Sequence, residues 1–233
     1  MNYILVCEDE KAIREIILIN LRRHGFDVLE AASGEEALEL FSQHPNEIQI
    51  ALLDIMLPGI DGFTVCKTLR QQSSSIGIIM LTARTQENEK VGALKLGADD
   101  YVTKPFSPSE LIARVEALSR RVSVFEQDVT HVTNTLVSGS FTIDLRNRVL
   151  FKKDVSIELT HVEFQMLQFF FENPEKPLSR SDILHRVWGE DYYGEEKVVD
   201  VNIRRLRMKI EDDPSQPRYI QTVWGCGYQW SSR

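Results

Sequence analysis

The chain has 233 residues, of which 42% are hydrophobic and 27% charged, and its formal net charge is −8. This length suits two domains of about 100–200 residues each, and the composition is typical of a globular protein. We expect no membrane-spanning helix, because no apolar run approaches the roughly 18–20 residues required, and no signal peptide, because MNYILVCEDE lacks a basic region. Three widely spaced cysteines, Cys7, Cys66 and Cys226, favour a reducing compartment, the cytoplasm, over a disulfide framework or a zinc site.

The first half of the chain repeats a strand followed by a helix. Short apolar segments predict strands at Tyr3–Cys7, Asp27–Ala31, Gln49–Leu53, Gly77–Leu81 and Asp100–Lys104. Amphipathic segments predict helices near 11–24, 34–43, 62–71, 87–96 and 107–121. Such alternation predicts an α/β fold, a (βα)5 doubly wound parallel sheet with helices on both faces.

Polar side chains follow or end four of these strands. Glu8 and Asp9 follow the first strand, Asp54 ends the third, Thr82 the fourth and Lys104 the fifth. Since the carboxyl ends of parallel strands share one edge of the sheet, we expect these side chains to meet there. The carboxylates would repel one another without a cation, and oxygen ligands favour Mg²⁺ or alternatively Mn²⁺.

This group contains the parts needed to accept a phosphoryl group. Asp54 can attack in line, while the cation and Lys104 neutralise charge on the transferred oxygens. Each residue alone has an ordinary explanation: Asp54 could cap a loop, Thr82 could cap a helix, and Lys104 could be a surface lysine. Their joint position at separate strand ends favours the phosphoacceptor interpretation.

The second half has a different pattern, typical of an α+β domain. Short strands are predicted around FTID, RVLF and SIEL within 136–159. Thr160 and Glu163 form a capping-box pattern at the start of a helix. A second helix, DILHRVW, ends before Gly189, and a third, KVVDVNIRRLRMKI, precedes a hairpin with Gly225 and Gly227 at its turn.

The third of these helices carries a concentrated positive charge. Residues 197–209 contain five basic side chains and one acidic side chain in an otherwise acidic protein. Val199, Ile203, Leu206 and Ile210 share one face, which we expect to be buried. The remaining faces suit contact with phosphates of a nucleic acid, although a solvated face of an amphipathic helix remains the alternative.

Both halves resemble known families. Residues 1–121 resemble the CheY-like receiver domain of bacterial two-component response regulators, through CEDE at 7–10, LLDIMLPGIDG around Asp54, Thr82-Ala83, and GADDYVTKPF at 97–106. Residues 136–230 resemble the winged helix-turn-helix domain of OmpR/PhoB regulators, through LTHVEFQMLQFF, LSRSDILHRVW, VVDVNIRRLRMKI and YIQTVWGCGYQW. The resemblance implies a receiver at 1–121, a linker at 122–135 and a DNA-binding domain at 136–233.

For the receiver, the resemblance implies phosphorylation by a sensor histidine kinase at Asp54. It also implies Mg²⁺ held by Glu8, Asp9, Asp54 and the backbone carbonyl of Met56.

The resemblance further implies a switch and a phosphorylation-dependent homodimer. Thr82 would move towards the phosphoryl oxygens and Tyr101 would turn inward, and the Lys104–Pro105 peptide bond would be cis. The family dimerises through the face that runs from the helix near 87–96 to the helix at 107–121. The implied pairs across the dimer are Lys90–Glu110, Asp100–Arg114 and Asp99–Arg121.

For the second half, the resemblance implies that 197–210 is a recognition helix in the major groove of promoter DNA. Arg205 is the expected base contact, because arginine pairs with guanine through two hydrogen bonds. Asp200, Val201 and Asn202 would assist, and Lys197, Arg204 and Arg207 would contact phosphates. Trp224 stands where the family commonly has a wing arginine, so stacking or packing against a sugar replaces the charged contact, or the contact is absent.

The leading hypothesis is therefore a transcription factor controlled by phosphorylation of Asp54, with RNA polymerase as a further candidate partner. One alternative, an aspartyl-phosphate phosphohydrolase, requires an acid two residues after the nucleophile, where this chain has Met56. Another alternative is a DNA-binding regulator that works without phosphorylation, which the complete set of receiver residues disfavours. We expect no enzymatic activity beyond the chain's own phosphoryl transfer and slow dephosphorylation.

Overall fold

The computed structural model describes residues 2–83, 96–123, 135–190, 192 and 194–232. The chain divides into two compact units, Met1–Gln127 and Asp128–Arg233. No helix among the described residues is long and apolar enough to cross a membrane.

The first unit contains a five-stranded parallel sheet with the strand order β2-β1-β3-β4-β5. Its strands are β1 Tyr3–Cys7, β2 Asp27–Ala31, β3 Ile48–Asp54, β4 Gly77–Ala83 and β5 Asp100–Lys104. The prediction of a parallel α/β sheet is confirmed, with β3 and β4 slightly longer than predicted. In the register, Cys7 pairs with Leu53 and Asp54 with Leu81, so these strands end at the same edge of the sheet.

The described helices of this unit agree with the predicted pattern. They are α1 Lys11–Arg23, α2 Gly34–Gln43, α3 Gly62–Gln72 and α4 Pro108–Ser123. Most of the helix predicted at 87–96 lies outside the described residues. Ser33 and Asp61 cap α2 and α3 by accepting hydrogen bonds from the backbone N–H groups of Glu36 and Thr64.

The core of the first unit lies between the central strands and the helices. Leu52 and Leu81 of the sheet are buried in one cluster with Leu21 of α1 and Val115 and Leu118 of α4. Each such side chain contributes about 1.5–3 kcal/mol when it is removed from water. This packing holds the strand ends rigidly, which allows polar side chains to be positioned at the edge.

The second unit is an α+β domain, as the sequence predicted. An antiparallel sheet contains β6 Thr135–Ser138, β7 Phe141–Asp144, β8 Val149–Lys152 and β9 Val155–Ile157, in that order. Three helices follow, namely α5 His161–Glu172, α6 Arg180–Trp188 and α7 Lys197–Ile210. A final three-stranded sheet contains β10 Leu178–Ser179, β11 Ile220–Val223 and β12 Gly227–Trp230.

Local signals in the sequence account for several of these boundaries. The predicted capping box at Thr160 and Glu163 is present at the start of α5, and Ser179 and Asp182 form a second one at α6. Gly227 allows β12 to approach β10, because a Cβ at this position would overlap the carbonyl oxygen of Leu178. The hairpin of β11 and β12 is thereby attached beside the three helices.

Candidate functional site

An acidic pocket forms at the carboxyl edge of the parallel sheet. Asp54 is 4% exposed at the end of β3, Glu8 is fully buried after β1, and Asp9 is exposed beside them. One carboxylate oxygen from each of these three residues lies within 4.8 Å of the others. Lys104 Nζ lies 2.7 Å from Asp54 Oδ2 and 2.7 Å from Glu8 Oε2, so the side chains predicted from the ends of β1, β3 and β5 do meet.

The charges of this pocket depend strongly on burial. Burial raises the pKa of Glu8 to about 7, an effect that Lys104 opposes and Asp54 reinforces. Burial lowers the pKa of Lys104, but the hydrogen bonds and charges of Asp54 and Glu8 more than compensate, so the net direction is upward. Lys104 therefore remains charged, and one lysine faces two buried acids.

The donor set fits a hard divalent cation. Oε1 of Glu8 is buried and has no hydrogen-bond partner within the described part of the chain. The backbone N–H of Met56 donates to Asp54 Oδ1 over 3.2 Å, which holds the peptide at residue 56 beside the acids. All candidate ligand atoms are oxygens, the type that Mg²⁺ prefers. Glu8, Asp9 and Asp54 are thus suitable ligands, and ligation by the carbonyl of Met56 stays a prediction.

Supporting contacts that the sequence did not reveal fix the loops of this pocket. Arg14 Nη1 donates to the carbonyl oxygens of Glu8 at 2.7 Å and Asp9 at 3.3 Å. Glu35 accepts a hydrogen bond of 3.1 Å from the backbone N–H of Ile60, in the loop after Asp54. A Cβ at Gly62 would overlap the carbonyl oxygen of Asp54. Of these residues, only Gly62 carried a signal, since it stands between a broken loop and a helix.

The two predicted switch residues are buried in adjacent strands, Thr82 in β4 and Tyr101 in β5. Thr82 is fully buried and Tyr101 is 6% exposed, and the Lys104–Pro105 peptide bond is cis, as expected. Cys7 donates to the carbonyl oxygen of Ser33 over 3.3 Å, and burial raises the pKa of its thiol to about 12. Cys7 is therefore a protonated packing residue.

The proposed dimer face differs from the expectation at Asp99. Asp99 is fully buried, where Arg70 Nη2 lies 2.8 Å from its Oδ2 and the backbone N–H of Ile78 donates to the same oxygen over 2.8 Å. Its carboxylate already has partners inside the domain, which disfavours the expected pair Asp99–Arg121 across a dimer, and this pair stays a prediction. The side chain of Arg121 lies outside the described residues.

Other members of that face are paired within the chain. Arg114 Nη1 donates to both carboxylate oxygens of Asp100 over 3.2 Å, and its Nη2 donates to Glu110 over 2.9 Å. Asp100 and Arg114 are almost completely buried. Lys90, the predicted partner of Glu110, lies outside the described residues.

The expected DNA-reading residues of α7 lie at different depths. Val199, Ile203, Leu206 and Ile210 are fully buried, as predicted. Arg205, the expected base contact, instead turns inward, with its side chain 11% exposed and Nη2 3.1 Å from Oε1 of the buried Glu163. The reason is electrostatic, because Glu163 is buried in α5 and requires cationic partners.

Other expected contacts on this helix also have internal partners. Asn202 is fully buried and its amide donates to the carbonyl oxygen of Val198 over 2.9 Å, and Val201 is 7% exposed. Asp200 Oδ1 accepts hydrogen bonds of 2.7 Å from Arg180 and 2.6 Å from the hydroxyl of Tyr228. Burial therefore disfavours a base contact by Val201 or Asn202, whereas the side chain of Asp200 is 41% exposed although Arg180 and Tyr228 hold it. Assistance at bases by these three residues stays a prediction.

The remaining expected DNA contacts are the basic residues of α7 and Trp224 in the β11–β12 hairpin, the expected wing. Arg204 is exposed and Lys197 is half-buried. Arg207 donates to the carbonyl oxygen of Ile220 over 2.7 Å and to Thr222 Oγ1 over 2.9 Å, which attaches α7 to the hairpin. Trp224, at the tip of that hairpin, is 92% exposed.

Two family models match the chain, one within each compact unit. Residues 4–116 match the model of the response regulator receiver domain, and residues 154–230 match the model of the C-terminal domain of transcriptional regulatory proteins. The chain is 34% identical to the response regulator DrrB, a Thermotoga maritima OmpR/PhoB homologue, over 99% of both chains, with a TM-score of 0.49.

Two further structures are similar over nearly the whole chain. A C128D mutant of RitR is 26% identical over 99% of both chains, with a TM-score of 0.74. A structure described as a novel family of redox sensors in the streptococci, evolved from two-component response regulators, is 25% identical over 99% of both chains, with a TM-score of 0.50. With its receiver and its DNA-binding domain, the chain belongs to the OmpR/PhoB family of two-component response regulators.

Proposed function

We propose that this regulator is phosphorylated on Asp54 by a sensor histidine kinase, and that phosphorylation controls its promoter binding through dimerisation of the receiver. The observation that carries the proposal is the position of Lys104, whose Nζ contacts both Asp54 and Glu8 inside an acidic cluster suited to a cation. An aspartate with a purely structural role would need neither a lysine nor further acids beside it. The reducing cytoplasm, where the kinase's catalytic part and the promoter are found, is the proposed location.

The chemistry assigned to the pocket is transfer of one phosphoryl group. A carboxylate oxygen of Asp54 forms a bond to phosphorus as the bond between phosphorus and the donor's imidazole nitrogen breaks. Lys104, 2.7 Å from Asp54 Oδ2, stabilises the negative charge on the transferred oxygens. Mg²⁺, or Mn²⁺, held by Glu8, Asp9, Asp54 and the Met56 carbonyl, would supply further neutralising charge.

The proposed output passes through Thr82 and Tyr101 to the dimer face. Thr82 is fully buried in β4 and Tyr101 is 6% exposed in the adjacent strand β5, and in the proposed switch the movement of Thr82 towards the phosphoryl oxygens alters the packing of Tyr101. The dimer uses Lys90–Glu110 and Asp100–Arg114 across the two-fold axis. Because Arg114 contacts Asp100 and Glu110 within its own chain, dimerisation requires these ion pairs to exchange or be shared.

For the DNA-binding domain, we place α7 in the major groove and the β11–β12 hairpin beside it. Lys197, Arg204 and Arg207 then supply phosphate contacts. Arg205 reaches a base only if it leaves Glu163, whereas Trp224 is free to contact a sugar in its present position. Two domains held by a receiver dimer would occupy repeated half-sites of promoter DNA, where contact with RNA polymerase becomes available.

The test compares the full chain with Asp54→Ala and with the matched control Glu10→Gln, which neutralises an exposed acid next to the pocket. Each protein is treated with acetyl phosphate and Mg²⁺, after which dimerisation is measured by light scattering and promoter binding by fluorescence anisotropy. The wild type and Glu10→Gln should dimerise and bind DNA more tightly after treatment, whereas Asp54→Ala should not respond. A response of Asp54→Ala equal to that of the wild type would contradict the proposal.

Two rival functions are tested by the same materials. A phosphohydrolase would release phosphate from small phosphoesters in repeated turnovers, which requires a proton donor where Met56 stands 67% exposed without a transferable proton. A phosphorylation-independent regulator would bind DNA equally well with and without acetyl phosphate. The complete pocket favours neither rival.

A further inference from the structure

The face of α7 opposite the core contains an exposed methionine that the family resemblance did not assign to DNA. Four of the buried apolar residues of α7 are spaced four, three and four apart, at 199, 203, 206 and 210. Arg204 and Met208 stand two residues before Leu206 and Ile210, which rotates them by about 200° around the helix, and both are exposed. Met208 therefore lies on the outward face, one turn after Arg204.

The neighbours of Met208 are held by internal contacts. Arg207 donates to Ile220 and Thr222 of the hairpin, and Lys209 Nζ lies 2.7 Å from Glu163 Oε2 and donates to the carbonyl oxygen of Glu158 over 2.8 Å. These contacts fix the last turn of α7 on both sides. Met208 has no such contact with the hairpin or α5 in the described part of the chain, and it is 67% exposed.

The side chains expected to read bases are less accessible than Met208. Arg205 is paired with Glu163, Asn202 is fully buried, and Asp200 accepts from Arg180 and Tyr228. Arg204 is exposed and can anchor the same face to a phosphate. A side chain one turn from that anchor is therefore placed towards the base edges of the groove.

We propose that Met208 is a specificity-determining residue that recognises the 5-methyl group of a thymine in the major groove. The thioether offers no strong hydrogen-bond donor, so it cannot distinguish bases by the polar pattern that arginine or asparagine reads. Its flexible apolar chain does suit a methyl group, which only thymine presents in the major groove. This inference rests on the proposed placement of α7 in the major groove.

The test uses uracil, which differs from thymine only by the absence of that methyl group. Binding sites are first selected from a random duplex pool with the phosphodonor-treated full chain. Each thymine of the selected site is then replaced singly by deoxyuridine, and affinity is measured for the wild type, Met208→Gln and Val155→Thr. Val155 is an exposed apolar residue of the same domain, 68% exposed on β9, and serves as the matched control.

For the wild type and Val155→Thr, we expect deoxyuridine at one thymine of each half-site to weaken binding about fourfold, the value of one buried methyl group. For Met208→Gln, the same replacement should have no effect, because glutamine makes no comparable apolar contact. Neutral replacements at every thymine, or an equal penalty in Met208→Gln, would overturn the role of Met208 while leaving DNA binding intact. Failure of the wild type to select any duplex would instead contradict DNA binding, and with it the inference.

Discussion

The guanidinium of Arg205 and the carboxylate of Glu163 form an ion pair between α7 and the first turn of α5, with Nη2 3.1 Å from Oε1. Lys209 Nζ lies 2.7 Å from the other oxygen, Oε2. Glu163 also accepts from the backbone N–H of Thr160 over 2.9 Å, so one buried side chain caps α5 and ties it to α7. The position of α7 therefore depends on a charge inside the domain.

We expect Glu163→Gln to destabilise the DNA-binding domain by about 2 kcal/mol, since hydrogen bonds to charged groups are worth about 1.5–3 kcal/mol. Glutamine can keep the cap but not the attraction to Arg205 and Lys209. All three tryptophans, Trp188, Trp224 and Trp230, are in the second unit, so tryptophan fluorescence during urea unfolding of the full chain reports on that unit. Glu158→Gln removes one negative charge at an exposed site, and this control should unfold like the wild type.

The effect of Glu163→Gln should depend on pH. Burial raises the pKa of Glu163, but Arg205, Lys209 and the Thr160 N–H outweigh burial, so the pKa is lowered from its ordinary value of 4.5. A lowered pKa means that the stabilisation is present above pH 4.5 and is lost as the pH falls through the folded-state value. The difference in unfolding midpoint between wild type and variant should be constant near pH 7 and shrink below pH 4.5. A difference that grows in acid would contradict this assignment.

A second buried ion pair stabilises the receiver at the start of β5. Arg70 donates to the carboxylate of Asp99. It also donates to backbone carbonyl oxygens in the segments that precede β4 and β5, namely those of Ser73, Ser74, Ile76 and Gly97. Arg70→Met should lower local stability by about 3 kcal/mol, because a buried carboxylate loses its cation. Faster hydrogen exchange at Ile78, whose N–H donates to Asp99, would measure this loss in the full chain.

The controls separate charge from packing. Lys67→Met removes an exposed cation from the same helix and should leave exchange unchanged. In an Asp99→Asn background, Arg70→Met should cost less, because no buried charge remains to be neutralised. Equal costs in both backgrounds would show that Arg70 acts through its carbonyl contacts alone.

The wing offers a prediction based on charge. Trp224→Ala should weaken DNA binding without changing its dependence on salt, because tryptophan releases no counterions. Trp224→Arg should steepen the logarithmic salt dependence by about 1. Affinity measured at salt concentrations between about 50 and 200 mM tests both variants. A Trp224→Ala protein that binds like the wild type would remove Trp224 from the interface.

The parallel sheet and its acidic edge were accessible from the sequence because their signals are local. Apolar runs that end in Asp54 or Lys104 specify both a buried strand and the side of the sheet where the polar residue lies. The capping box at Thr160 and Glu163 was equally local. These signals depend on spacing along the chain, and the structure confirms the elements that they predicted.

The partners of charged residues were not accessible in the same way. Asp99 and Asp100 are adjacent, yet Asp99 contacts Arg70 and Asp100 contacts Arg114, 29 and 14 residues away. Arg205 appeared to be a surface arginine because the buried Glu163 lies 42 residues earlier in the chain. Helical spacing gives the face of a side chain but not the charge that the rest of the fold brings against it.

The central claim is that Asp54 accepts the phosphoryl group that controls this regulator, and intact-mass spectrometry tests it most directly. The wild-type full chain and Asp54→Asn are incubated with acetyl phosphate, either in the presence of Mg²⁺ or in the presence of a chelator. The proteins are then digested at acidic pH, and the peptides are used to locate the modification. We predict one phosphoryl group on the wild type in Mg²⁺, located at Asp54, and none on the variant or in chelator. A phosphoryl group at another residue, or unchanged labelling of Asp54→Asn, would contradict the account.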